Sequence, residues 1–278
     1  METTNRNYVR LLDSSEISKD SWYLPCFPVV DRTRATTKIR IVFDGQAEFH
    51  GTSLNKETLT GPNLLLNYLQ ILFRFRKYQV CFLGDISEMF LQIRLEEEDQ
   101  KYHRFLFADE NGDIKDYQWC RTVFGGTSIP NISQKVLHCL VEDFGMDYPE
   151  AVETIIKSLY MDDAIDSRRT VEEAIKTIKE LSQLLPKAGM TPRKWMSNSC
   201  AVLDHVPHSE RAKEVELVGN SMLLHDGKIL GVKYSPQTDD FFMVGNEMPG
   251  GKGCRRKIPR TSSGDVIWTK RTVLSPSL

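Results

Sequence analysis

The chain has 278 residues, 40% hydrophobic and 27% charged, with a formal net charge of −2. These are ordinary proportions for a globular protein able to bury a core. No run of about 18 apolar residues is present and the first residues lack an apolar signal core, so no membrane span and no secretory leader are expected.

Residues 1–22 are polar and weakly patterned, which reads as a poorly ordered lead-in. Leu24–Val30 is extended because Pro25 and Pro28 exclude helix. Lys38–Phe43 alternates and is β-branched, which predicts a strand, and the polar stretch 31–37 between them reads as a hairpin tip. After Gly61-Pro62, helical spacing of Leu64, Leu65, Tyr68, Ile71, Leu72 and Phe75 predicts a helix over 63–76. Gln79–Gly84 is a short apolar run, a buried strand ending at the glycine. Arg104–Ala108 and Tyr117–Trp119 read as paired strands around Asn111-Gly112.

Ser128–Phe144 is helical, with Pro130 in its first turn. Ile155–Leu159 followed by Tyr160–Asp163 and Ala164–Asp166 reads as strand, tight acidic turn, strand. Thr170–Leu185 is helical, opened by a capping box of Thr170 and Glu173. Lys228–Tyr234 reads as one strand with a glycine inside, and 246–265, rich in Gly, Pro, Ser and basic residues, as flexible. Antiparallel strands with helices packed on one face make the class α+β.

Charge is distributed unevenly. Residues 1–80 carry 11 basic and 8 acidic side chains, 81–165 carry 7 and 17, and 166–278 carry 18 and 13. A near-zero mean therefore hides an acidic middle between basic flanks, and phosphate binding needs local rather than average basicity. The six cysteines are scattered with no C-x-x-C pair and read as reduced thiols. Cys200, His205 and His208 lack a fourth zinc ligand at usual spacing.

The chemistry is concentrated in three aspartates. Asp85 follows a buried strand, and Asp162 and Asp163 lie at a predicted hairpin tip. Carboxylates brought together on neighbouring strands repel unless cations bind. Oxygen donors of this kind suit Mg²⁺, and two such ions serve in-line phosphoryl transfer. Y-x-D-D alone is a weak signal; its neighbours decide its meaning.

Phe82–Phe90 resembles the segment of reverse transcriptases that holds their first catalytic aspartate. Arg121–Gln134 resembles their F-G…P…Q segment, Leu159–Asp163 their Y-x-D-D box, and Gly189–Trp195 the glycine-then-lysine segment that follows it. Leu230–Tyr234 resembles the primer grip and Thr37–Asp44 the fingers strand. These stand in the right order, with 77 positions from Asp85 to Asp162. Tyr23–Val29, Thr37–Asp44, Arg193–Ser199 and Trp268–Ser275 resemble Pao/BEL-type LTR retrotransposons.

The resemblance implies a right-hand polymerase fold: a lead-in at 1–22, a fingers part at 23–80, a palm with primer grip at 81–235 (with a fingers part within 95–120), and a truncated thumb or connection at 236–278. It implies an RNA-directed DNA polymerase that adds dNTP to a primer on an RNA or DNA template, using two Mg²⁺ or Mn²⁺ ions. Asp85 and Asp162 would bridge the ions, with Asp163 assisting. Phe90 would exclude a ribose 2′-hydroxyl, or be a core residue beside Met89; Lys38 and Arg40 would meet the triphosphate, or line a solvated strand face. Phe124 and Gly125 would floor the nucleotide pocket, and Gln134 would face it or satisfy backbone groups. Lys194 would be a general acid, or with Arg193 a backbone-binding pair, and Gly231 and Lys233 would hold the primer.

Protease, ribonuclease H and integrase segments of a full element are not found in the chain, which reads as a truncated copy. Its expected location is the cytoplasm or nucleus, within a retroelement particle in a full-length context. The alternative is a catalytically inactive remnant that keeps the palm and at most binds nucleic acid.

Overall fold

The computed structural model describes residues 7–17, 20–31, 38–212, 215–218, 221–224, 227–230, 232–235 and 240–242. In chain order the strands are β1 (Val9–Leu11), β2 (Cys26–Asp31), β3 (Lys38–Phe43), β4 (Val80–Ser87), β5 (Arg104–Ala108), β6 (Ile114–Trp119), β7 (Leu159–Tyr160), β8 (Asp163–Arg168) and β9 (Thr191–Ser197). Then follow β10 (Val215–Val218), β11 (Ser221–Leu224), β12 (Gly227–Ile229), β13 (Val232–Ser235) and β14 (Asp240–Phe242). The helices of ten residues or more among the described residues are α1 (Tyr68–Lys77), α2 (Ile129–Phe144), α3 (Pro149–Ser158) and α4 (Val171–Leu184). The class is α+β, as expected.

Two compact units interleave along the chain, the first drawn from 1–65, 87–145 and 184–191, the second from 66–86, 146–183 and 192–278. In the first, β6 lies between β1 and β5 in an antiparallel sheet, and β2 pairs with β3 from Cys26↔Phe43 to Asp31↔Lys38. Residues 8–12 are no loose lead-in: Val9 pairs with Trp119, and Tyr8, Val9 and Leu12 are buried. Unpaired β6 backbone groups at this edge accept a short strand whatever the polarity of its neighbours. The core joins Tyr8 and Val9 to Leu24, Phe43, Phe105, Trp119 and Val123. Phe43 meets Phe105 and Trp119 edge-on at 5.0 and 5.3 Å.

The second unit is built on a four-stranded sheet in the order β7-β8-β4-β9. β4 and β8 are antiparallel from Val80↔Arg168 to Asp85↔Asp163. Side chains on a strand alternate between faces. On one face, Cys81 and Ile165 pack with Ile71 and Phe75 of α1, Met196 of β9 and Tyr234 of β13. On the other, Asp166 accepts from Thr154 of α3 and Arg168 donates to Thr177 of α4. Helices therefore cover both faces, not one as the pattern suggested; β8 is buried from Ala164 through Arg168.

Four element boundaries differ from expectation, each for a local reason. α1 starts at Tyr68 rather than Asn63, because the Asn67 side chain accepts from the Leu69 N–H and caps it there. β4 runs three residues past Gly84 to Ser87, so Asp85 lies inside the strand. The apolar run 155–158 is the end of α3, which opens with Pro149 in its first turn, and β7 keeps two residues; a short apolar run does not distinguish helix from strand. Residues 228–234 form two strands, β12 and β13, with Ile229 paired to Val232. Helix α4 begins as expected, with Glu173 N–H donating to Thr170 Oγ1 at 3.2 Å. The 246–265 stretch lies outside the described residues.

Gly84 has a packing reason to be glycine. A Cβ there would stand 2.5 Å from two ring carbons of Trp195, which is fully buried and has nowhere to retreat. Gly84→Ala should lower unfolding stability by about 3 kcal/mol, read as a shift in urea midpoint at unchanged slope.

Candidate active site

Asp85 and Asp163 are direct partners across the β4–β8 ladder, and the Ile86 N–H donates to the Asp162 carbonyl at 2.7 Å, extending the pairing into the turn. Tyr160 pairs with Asp163, leaving Met161-Asp162 as the two-residue connection. Met161 has φ 52°, a left-handed conformation that such turns usually give to glycine. A non-glycine residue held there costs on the order of 1 kcal/mol. The strain lies in the turn that carries Asp162.

The carboxylates are incompletely compensated. Burial, and then the charges of Asp162 and Asp85, push Asp163 up to about 7 from the ordinary 3.8, with Lys194 opposing. Asp162 is raised as well, chiefly by burial, with Asp85 adding to it. Lys194 Nζ lies 2.8 Å from Asp85 Oδ2. Among the described residues no three His, Cys, Asp or Glu side chains stand together as a ready-made metal cage. Mg²⁺ needs only one or two carboxylates, since waters and substrate phosphates complete its shell. An all-oxygen donor set with a carboxyl raised by burial and by its negative neighbours fits such an ion.

The raised value has a testable consequence. The unfolded Asp163 ionises near pH 4 and the folded one near 7, so the metal-free protein loses stability as pH rises between them. Relative to Asp163→Asn, the wild type should match below pH 4, fall behind from pH 4 to 7, and trail by about 2–4 kcal/mol above that. Denaturant melts across pH 4–8 would show this, and millimolar Mg²⁺ at pH 8 should narrow the gap.

The other expected residues fall as follows. Lys194 belongs to β9 and joins Asp85 in the second unit. Lys233 lies in β13, paired with Lys228, while Gly231 is outside the described residues. Lys38 and Arg40 lie in β3, with side chains outside the described part. In the first unit Phe90 is buried and meets the exposed ring of Phe124 edge-on at 5.0 Å. Gly125 has φ 111°, and a Cβ there would stand 2.3 Å from the Phe43 carbonyl oxygen. Its glycine is thus required by the fold itself. Asn55 straps the same loop, donating to the Gly125 carbonyl at 2.9 Å and accepting from the Thr127 N–H at 3.0 Å. Gln134 is buried on α2, and its Nε2 has no hydrogen-bond partner among the described residues.

Sequence reasoning missed the support beneath Asp163. Asp166 Oδ2 accepts from Arg168 Nη1 at 2.7 Å and from Thr154 Oγ1 at 2.8 Å, and Arg168 also donates to Thr177 Oγ1 at 3.0 Å. The α3 N-terminus is capped by Glu180 of α4, which accepts from the Glu150 and Ala151 N–H groups at 2.8 and 3.2 Å. A signal was present: Asp166 and Arg168, opposite charges two residues apart, share one face of β8.

The family profile described as reverse transcriptase (RNA-dependent DNA polymerase) matches residues 34–195, more than half the chain. Two solved structures are similar in fold. One is the foamy viral protease-reverse transcriptase dRH in complex with ds DNA, with TM-score 0.54 and 18% identity over 84% of this chain and 32% of that one. The other is the foamy viral protease-reverse transcriptase in complex with RNA/DNA hybrid, with TM-score 0.54 and 17% identity over 84% of this chain and 24% of that one. The chain thus spans about a third or less of those proteins' length. No curated protein matches it in sequence. No helix among the described residues is long and apolar enough to cross a membrane. Match and geometry converge on one statement: this chain belongs to the reverse transcriptase family.

Proposed function

We propose that the chain is the polymerase core of a retroelement reverse transcriptase, of Pao/BEL type, which extends a primer 3′ end with dNTP on an RNA or DNA template. The observation that carries this is the Asp85↔Asp163 pairing beside the strained Met161-Asp162 turn, in a chain of this family. Residues 23–80, with a part within 95–120, would be the fingers, and 81–235 the palm with its primer grip. The RNA/DNA hybrid and ds DNA named for the foamy viral proteins support a duplex as partner.

Asp85, Asp162 and Asp163 would hold divalent ions, Mg²⁺ or Mn²⁺, which when bound neutralise the triphosphate and stabilise the attacking and leaving oxygens. The residues' own part is positional. β4 and β8 hold two carboxylates opposite each other, and the turn presents the third. Phe90, backed by Phe124, is the residue that discriminates against a ribose 2′-hydroxyl; Lys38 and Arg40 supply charge to the triphosphate. Gln134 offers its free amide N–H to the nucleotide pocket, and Gly231 and Lys233 hold the primer. Lys194 delivers a proton to the departing pyrophosphate. Primer extension on poly(rA)/oligo(dT) with Mg²⁺ or Mn²⁺ tests the reading. Absence of incorporation would overturn it in favour of an inactive remnant, and incorporation undiminished by loss of Asp85 would overturn the assignment of the site.

A further inference from the structure

Three negative side chains share one end of the β4–β8 ladder, and a lysine is held against one of them. Lys194 Nζ is 2.8 Å from Asp85 Oδ2, and this is the ion pair the three carboxylates make among the described residues. The lysine's own backbone is unusual. Lys194 sits inside β9 with φ 55°, left-handed, and the strand's alternation breaks there so that Arg193 and Lys194 are both exposed while Trp195 and Met196 are both buried. A left-handed non-glycine residue inside a strand is strained, and such strain gathers at functional positions. Here its result is to aim an ammonium at Asp85.

The pair is not a structural clamp. The Lys194 side chain is 64% exposed and that of Asp85 25%, so the lysine can swing off its flexible stem without unpacking the sheet. While it stays, Asp85 is spoken for. A divalent cation and the ammonium therefore compete for the same carboxylate. The triphosphate of a nucleotide is the natural alternative partner for a lysine released from it.

We infer that Lys194 is a resident counter-ion of the metal site: it occupies Asp85 in the absence of metal and transfers to the nucleotide phosphates when they bind. Metal and nucleotide binding are thereby coupled through one side chain, and linkage makes the coupling reciprocal. This rests on the metal-binding reading above and adds to it a reason for the ions to load with the substrate rather than before it.

The test is a Mn²⁺ titration of the full chain by electron paramagnetic resonance, which does not depend on turnover. Without nucleotide, Lys194→Met should bind Mn²⁺ about tenfold tighter than wild type, and Lys194→Arg should stay near wild type. The Lys194→Met advantage should shrink at high salt, since the pair is exposed. A non-hydrolysable dNTP analogue should tighten Mn²⁺ binding to the wild type markedly more than to Lys194→Met. Saturable binding of equal affinity in wild type and Lys194→Met overturns the counter-ion role alone. Absence of saturable binding in both overturns the metal site itself, and this role with it.

Discussion

Asp85→Asn should reduce primer extension on the order of a thousandfold while the protein stays folded, because several kcal/mol of charge stabilisation at the reacting phosphate depend on one carboxylate. Asparagine keeps the size and the β4 backbone, so the Asp85↔Asp163 ladder and the Gly84–Trp195 packing persist. Removing one of three crowded negative charges also relieves the repulsion that adds to burial in raising Asp163. The metal-free variant should therefore melt at or above the wild-type temperature near pH 8. Loss of activity with gain of stability is the signature of a site strained for function. Asp162→Asn should cost about as much activity, and Asp163→Asn less, if Asp163 acts mainly through charge. Steady-state incorporation and thermal melts on the same preparations measure both; a variant that is inactive and also unfolded would instead assign Asp85 a structural role.

Asp166→Ala should destabilise the protein by about 3–5 kcal/mol, the largest stability effect expected of a single side chain here. The change strips a buried arginine of its nearer counter-charge, leaving only the partly exposed Glu150 carboxylate at 3.6 Å, and breaking a buried pair costs about that much. Asp166 and Arg168 are 5% and 7% exposed, and the three hydrogen bonds of the Asp166 carboxylate are to Arg168, Thr154 and the Ser167 N–H. Replacing both partners, as in Asp166→Ala with Arg168→Met, should recover a large part of the loss, because well-packed apolar groups replace such pairs at little cost. Urea unfolding of the two single variants and the double variant gives the coupling directly. Because β8 begins at Asp163 and ends at Arg168, the same variants should disturb Asp163 from three and five residues away. Additive losses would mean the two charges do not act as a pair.

Much of this was readable in the chain order. The β5–β6 hairpin, α2 with Pro130 in its first turn and the capping box of α4 are set by local chemistry, by turn residues, proline and a reciprocal pair of side chains. Where a second local option competed, reading failed. Asn67 could cap a helix that periodicity wanted to begin at Asn63, and the 155–158 run suited a helix end as well as a strand. β1 is held by an edge of β6 more than a hundred residues away in sequence, and no local pattern reports such a partner.

The three aspartates separate the two sources most clearly. By itself the sequence singled out the three aspartates as the candidate site, since aspartate type, spacing and neighbouring segments are local facts written in order. Only the tertiary structure decided that Asp85 faces Asp163, that Met161 bears the strain of the turn, that Lys194 closes on Asp85, and that Asp166 and Arg168 are buried beneath them. The reason is physical. Charge state, burial and strain depend on pairings between residues such as Asp85 and Lys194, 109 positions apart, and those exist only once the ladder has closed.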